Sequence, residues 1–251
     1  MYDLIQGDCL VEMPKIKDQS IDLILCDLPY GVTAKNKWDT IIPFDKLWKQ
    51  YVRIIKDNGA IVLFGQDKFT AKLMLSNEKY HRYNLIWNKV LPSGFLNAGR
   101  MPLREHEDVC IFYKSLPTYN PQKIKGNPCH KKGKAVGKMN DDILKNDNYQ
   151  NFKVVETEGD MKFPTSILTF SKTHPSKALH PTEKPVALLE WLIRTYTNKN
   201  ELVLDNCMGS GSTGIACLNT NRNFIGIELD EKYYNVAKNR LEEHDKKRIL
   251  S

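Results

Sequence analysis

The sequence predicts an α/β protein whose parallel or mostly parallel sheet is covered by helices, and three features predict it. Short apolar runs alternate along the chain with segments of helical period. A glycine-rich turn near the carboxyl end joins a strand pattern to a helix pattern and completes a strand-helix-strand unit. With 251 residues, 41% of them hydrophobic, the chain can bury one main core plus an insertion.

Taken in order, Ile21 to Cys26 reads as a buried strand ending on Asp27-Leu28-Pro29-Tyr30, where the proline imposes a loop. Phe44, Leu47, Trp48, Tyr51 and Ile55 share one helical face, Asn58-Gly59 is expected to break that helix, and Ala60 to Phe64 reads as a second buried strand. A helix from about Lys68 to Ser76, a strand through Asn84 to Asn88 and a strand Val109 to Tyr113 continue the alternation. Periodicity then fades between Lys114 and Lys153, where nine lysines face three aspartates and supply a local excess of six charges. A flexible surface insertion and a patch that follows phosphates both fit that segment. Pro185 suits the first turn of a helix presenting Leu189, Leu192, Ile193 and Tyr196. Glu201 to Asp205 is a strand, Asn206 to Gly211 the glycine-rich turn, Ser212 to Leu218 a helix, Phe224 to Glu228 a strand, and Glu231 to about His244 the closing helix.

The chain carries 37 Lys and Arg against 30 Asp and Glu, and the resulting +7 favours an anionic partner, nucleic acid first, over a membrane role. Six scattered cysteines without a C-x-x-C pair read as reduced thiols. No apolar run approaches the ~20 residues of a membrane span, and the start lacks a basic and an apolar leader region, so a cytoplasmic protein is expected. The six histidines lack metal-ligand spacing, Cys129-His130 included, and no metal is expected.

Gly209-Ser210-Gly211-Ser212-Thr213-Gly214 matches G-x-G-x-x-G between a strand and a helix, and Glu228 closes the next strand, where a carboxylate can take two ribose hydroxyls. A bare tight turn is the plain alternative. Asp205 at the strand end would repel a dinucleotide's pyrophosphate but stabilise the sulfonium and α-ammonium of S-adenosylmethionine. Asp27-Leu28-Pro29-Tyr30 stands at a strand's carboxyl end, where open α/β sheets place ligands. The Asp27 carboxylate and the Leu28 carbonyl can each accept one hydrogen of an exocyclic amine, Pro29 stiffens the turn, and Tyr30 can stack on an extracted base. Such stacking is worth ~1–3 kcal/mol, comparable with the cost of flipping a base. By itself the tetrapeptide reads more readily as a capped turn.

Asp27-Leu28-Pro29-Tyr30 resembles the catalytic (D/N/S)PP(Y/F/W) motif of the DNA amino-methyltransferases, and Val203 to Gly214 resembles their cofactor motif. His180-Pro181-Thr182-Glu183-Lys184-Pro185 is similar to the family's HPTxKP segment. The catalytic motif precedes the cofactor motif, which is the permuted order of the β group. The resemblance implies a doubly wound, Rossmann-like methyltransferase sheet from residues 1–114 and 178–251, with 115–177 inserted as the DNA-recognition region. It implies a catalytic clamp of Asp27, Leu28, Pro29 and Tyr30, and a cofactor site of Asp205, Gly209, Ser210, Gly211 and Glu228 that binds S-adenosylmethionine. Lys184 is expected to meet the cofactor carboxylate, and Asp8 either the cofactor adenine or a capping position. Lys123, Lys125, Lys131, Lys132 and Lys134 are the expected DNA contacts. Trp38-Asp39 lines the base pocket or packs on the core.

The sequence departs from the pattern at Leu28, usually Pro, and at Cys207, commonly Phe. The acidic Asp27 tilts the target to N6 of adenine over N4 of cytosine. Double-stranded DNA is the implied partner; a homodimer and a partner restriction endonuclease stay open. The alternatives are methylation of RNA or a protein amide, a NAD-dependent oxidoreductase, and a silent DNA-binding module.

Overall fold

The computed structural model describes residues 1–31, 40–126, 160–172 and 183–249. Trp38, Asp39, Cys129, His130, Lys131, Lys132, Lys134 and His180 to Thr182 lie outside the described residues. The chain forms two compact units, Met1–Asn120 with Ser166–Ser251, and Pro121–Thr165.

In chain order the strands are β1 (Tyr2–Gln6), β2 (Ile21–Cys26), β3 (Ile55–Gly65), β4 (His81–Ser93), β5 (Arg104–Phe112), β6 (Ile124–Lys125), β7 (Met161–Lys162), β8 (Ile167–Thr169), β9 (Leu202–Asp205) and β10 (Asn223–Glu228). The smaller unit holds the antiparallel pair β6-β7. The larger unit holds an eight-stranded sheet in the order β1-β10-β9-β2-β3-β5-β4-β8. All neighbours in it are parallel except the two pairs that β5 makes.

Helices cover both faces, as strand patterning requires. Leu23 and Leu25 of β2 enter one core, with α4 (Val186–Tyr196), α5 (Ser212–Thr220) and α6 (Glu231–Ile249). Ile24 and Cys26 enter the other, with α1 (Cys9–Glu12), α2 (Phe44–Ile54) and α3 (Asp67–Ser76). A strand buried on both sides has no polar face to alternate, which is why β2 reads as a nearly continuous apolar run. The sheet is therefore doubly wound.

Register brings four strand ends together. Ile24 of β2 lies opposite Leu204 of β9, Asp205 opposite Gly226 of β10, and Glu228 opposite Gln6 of β1. The crossover from β2 to β3 leaves in one direction and that from β9 to β10 in the other, which opens a crevice at the carboxyl ends of β2 and β9. Asp27 and the turn after Asp205 are the first residues past those ends.

Several elements differ from the sequence expectation. Helix α2 ends at Ile54, and Asn58-Gly59 lies inside β3, where pairing jumps from Ile21 opposite Ile55 to Leu23 opposite Ala60. The dipeptide is thus a bulge: a Cβ on Gly59 would meet the Asp22 carbonyl oxygen at 2.9 Å. Strands β4 and β5 extend well beyond 84–88 and 109–113 as a long antiparallel hairpin. The expected insertion 115–177 closes earlier, because Ser166 returns the chain to the sheet. There Leu168 is buried, β8 pairs with β4, and the Trp87 indole donates to the Phe170 carbonyl at 2.8 Å.

Candidate active site

Asp27 leaves β2 at its carboxyl end, half-buried, while Leu28 turns its side chain into the core below. The Tyr30 hydroxyl donates to Asp27 Oδ1 at 2.8 Å, closing the four-residue turn on itself. The Tyr30 ring stacks on Phe69 of α3, with centroids 4.6 Å apart. One ring face is thereby covered, and the Lys184 ammonium lies 6.0 Å from the ring centroid.

Asp27 Oδ2 accepts from Lys184 Nζ at 2.5 Å. This differs from the expectation that Lys184 serves the cofactor carboxylate. Lys184 immediately precedes Pro185, which caps α4, and its ammonium, on a residue only 7% exposed, also pairs with Glu107 Oε2 at 3.3 Å. Glu107 Oε1 in turn takes Lys89 Nζ at 3.3 Å. The four groups form an alternating chain, Asp27–Lys184–Glu107–Lys89, walled by the Phe64 and Trp87 rings at 4.9 and 6.0 Å from the Lys184 ammonium.

Burial opposes the Lys184 charge, but Asp27 and Glu107 outweigh it and hold its pKa above the lysine value. Burial, with a contribution from Glu107, raises Asp27 above the usual carboxylate range against the pull of Lys184. Burial also opposes ionisation of Glu107, yet Lys184 and Lys89 prevail and lower its pKa. The site thus keeps a charged ammonium between two carboxylates, of which Asp27 is the more readily protonated.

At the neighbouring strand end, Asp205 Oδ1 accepts from Cys207 N at 3.1 Å and Oδ2 from the Thr213 hydroxyl at 2.6 Å. Glu228 accepts from Gly209 N at 2.8 Å and from Asp230 N at 2.9 Å. Gly211 adopts φ +80°, and a Cβ there would meet Leu241 at 2.7 Å, so the position needs glycine for both conformation and space. Ser210 is buried beneath Glu183 and Arg240, with the Arg240 guanidinium 3.1 Å from the Ser210 carbonyl and 3.0 Å from Glu183 Oε1. The Tyr51 hydroxyl donates to Asn206 at 2.5 Å from the opposite side. Cys207, where an aromatic ring is more usual, instead contacts the Cys9 and Cys26 thiols.

Burial raises the Asp205 carboxyl to about 6. Its folded form holds a proton that the unfolded chain releases near pH 4, so stability falls as pH rises through that interval. Asp205→Asn, which can keep both hydrogen bonds by reversing the Thr213 hydroxyl, is expected to stabilise the fold at pH 7.5 by up to about 3 kcal/mol. Denaturant melts at pH 4.5 and 7.5 check this: the gain should shrink to about 1 kcal/mol at the lower pH.

Asp8 is the N-cap of α1, its carboxylate accepting from Leu10 N at 2.8 Å. In the smaller unit Lys123 lies over the Phe163 ring at 4.6 Å and Lys125 pairs with Asp160 at 3.6 Å. Sequence reasoning missed Glu107, Lys89 and the Glu183–Arg240 clip. Glu107 left one trace, standing two and four residues before the buried Val109 and Ile111 and so on their face of β5.

Comparison with known proteins agrees with the fold. A family model for N6/N4 enzymes, described as DNA methylase, matches residues 21–239. The type II methyltransferase M2.MboI of Moraxella bovis is 29% identical, across 96% of this chain and 88% of that protein. The type II methyltransferase M.HinfI of Haemophilus influenzae is 28% identical across 96% and 68%. Among solved structures, a complex of M1.HpyAVI with SAM superposes with a TM-score of 0.64 at 26% identity, covering 96% of this chain and all of that one. The cytosine-N4-specific PvuII DNA methyltransferase superposes with a TM-score of 0.67 over 98% and 90%, a likeness of fold alone at 16% identity.

Proposed function

The chain belongs to the N6/N4 DNA methylase family, and from that premise we propose that it transfers a methyl group from S-adenosylmethionine to the N6 amine of adenine in double-stranded DNA. The observation that carries the proposal is the Asp27 carboxylate, fixed by Tyr30 and Lys184 one strand away from the glycine turn.

The donor set fits the cofactor. Two carboxylates, Asp205 and Glu228, flank the turn, and its arginine, Arg240, is already engaged by Glu183, Ser210 and Ser212. A pyrophosphate would meet repulsion there, while a ligand carrying positive charge would be stabilised. Asp205, Gly209, Ser210, Gly211 and Glu228 would hold it, with Glu228 exchanging backbone donors for ribose hydroxyls. When bound, S-adenosylmethionine supplies a methyl group activated by its sulfonium.

The chain's residues do the rest by orientation. An adenine amine is a weak nucleophile because its lone pair is delocalised into the ring. A carboxylate offers about four lone-pair sites, of which Tyr30 and Lys184 take two, so Asp27 can accept an amine hydrogen without releasing either. The Leu28 carbonyl takes the second hydrogen, and the face of Tyr30 turned away from Phe69 receives the base. Proximity then supplies much of the rate. The proton lost after transfer leaves to Asp27 or water, because the methylated amine is acidic.

Adenine is preferred because the clamp begins with an acid. We assign target recognition to the lysine-rich segment. Reversing Lys123, Lys125, Lys131, Lys132 and Lys134 is expected to flatten the salt dependence of DNA binding, by ~0.9 in slope for each phosphate left unneutralised. Fluorescence anisotropy across a titration from low to physiological salt reads the slope, and an unchanged slope removes those lysines from the interface. Tritium transfer from labelled donor into DNA, RNA and protein in parallel tests the substrate class: incorporation into DNA is expected, and preference for RNA or protein would refute the proposal.

A further inference from the structure

We propose that the tip of the β4–β5 hairpin is a wedge that enters the DNA base stack and holds open the gap left by the extracted base, an inference that rests on the function proposed above. The hairpin's base already belongs to the site, since Glu107 on β5 pairs with Lys184. Gly65, the last residue of β3, is level with Asp108 of β5. From there β5 runs back to Arg104 beyond the edge of its neighbour, an overhang of ~13 Å at ~3.4 Å per residue. The tip therefore projects past the same sheet edge that carries Asp27.

At the tip, Phe95 is 77% and Leu96 85% exposed, and Leu91, Met101 and Leu103 are exposed beside them. Nothing in folding rewards that arrangement. The tip is also shaped: Gly94 at φ +90° opens a short 3-10 turn, Phe95–Asn97, closed by Asn97 N to Gly94 O at 2.9 Å, Ala98 N to Phe95 O at 3.1 Å and Met101 N to Asn97 O at 3.0 Å. A turn hydrogen-bonded in this way presents its two apolar side chains without first paying to order them.

Charge selects the occupant. Between Val90 and Arg104 there is no acidic residue, while Arg100 is exposed just beyond the apolar pair and Arg104, also exposed, pairs with Asp67 at 3.6 Å. A second copy docking by the same patch would bring these arginines against each other, since a twofold contact pairs a surface with itself. A duplex offers the complement, with a phosphate for Arg100 and an unstacked base step for Phe95 and Leu96.

The test pairs Phe95→Ser/Leu96→Ser with two duplexes containing the site methylated in vivo, one fully paired and one with the target adenine opposite an abasic position. Thermal melting and sedimentation velocity accompany the assay. Because an unpaired target needs no help to leave the stack, the variant is expected to lose about tenfold or more in kcat/KM on the paired duplex and little on the other. Equal losses on both duplexes, no loss on either, or a change of oligomeric state with equal losses would overturn the wedge while leaving the methylase reading intact. A wild-type protein inactive on both duplexes would overturn that reading and the wedge with it.

Discussion

Asp27→Ala is expected to abolish methyl transfer, with kcat falling by at least roughly 10²–10³-fold, while S-adenosylmethionine still binds. The magnitude is that of removing one preorganised polar group from a reacting centre. Cofactor binding should survive because Asp205, Gly209 and Glu228 hang on β9 and β10 and make no hydrogen bond with Asp27. The fold should survive as well. Removing one member of a buried ion pair normally strands its partner, but here Lys184 keeps Glu107. Asp27→Asn refines the measurement: it keeps an acceptor and the side-chain shape but loses the charge, so residual activity above that of the alanine variant reports geometry apart from charge. Single-turnover transfer and calorimetric titration of the cofactor are the readouts, and retained turnover in Asp27→Ala would remove Asp27 from the chemistry.

Lys184→Met is expected to lower kcat by about a hundredfold near pH 7, the scale of a modest misplacement of a catalytic group. It also leaves two carboxylates, Asp27 and Glu107, without the cation between them, and stability should fall by about 3–5 kcal/mol. The pH profile separates positioning from a merely structural role. Transfer needs Asp27 ionised, and burial with Glu107 already places its pKa above the ordinary carboxylate range. Activity of the wild type is therefore lost as pH falls through that raised value. Without Lys184, which pulls the other way, the acid limb should move to still higher pH, and activity should recover on the alkaline side. Glu107→Gln removes a group that raises Asp27 and should move the limb down. Limbs that stay in place in both variants would reduce the charged chain to scaffolding.

Local chemistry and long-range chemistry are unequally legible in this sequence. Strand β2, the turn from Asn206 to Gly211, and Glu228 can be read because each is written in consecutive residues: an apolar run, glycines spaced for a turn, an acid closing a strand. Strand β1 cannot, because it is a short edge strand whose one neighbour, β10, lies at the far end of the chain. Asn58-Gly59 carries a turn signal that the paired β3 absorbs as a bulge. The motif around Lys184 points to the cofactor, yet its ammonium answers to Glu107, far earlier in sequence and delivered by an antiparallel hairpin. No periodicity announces such a partner; only the sheet order does. Lys131, Lys132 and Lys134 remain expectations, since they lie outside the described residues.

Nucleoside mass spectrometry of DNA from a host without methylation of its own, expressing either the wild type or Asp27→Ala, tests the central claim most directly. Modification-sensitive sequencing of the same DNA locates the sites. N6-methyladenine at a defined sequence is expected with the wild type and none with the variant. N4-methylcytosine in its place, unmodified DNA with the wild type, or undiminished N6-methyladenine with Asp27→Ala would contradict the claim.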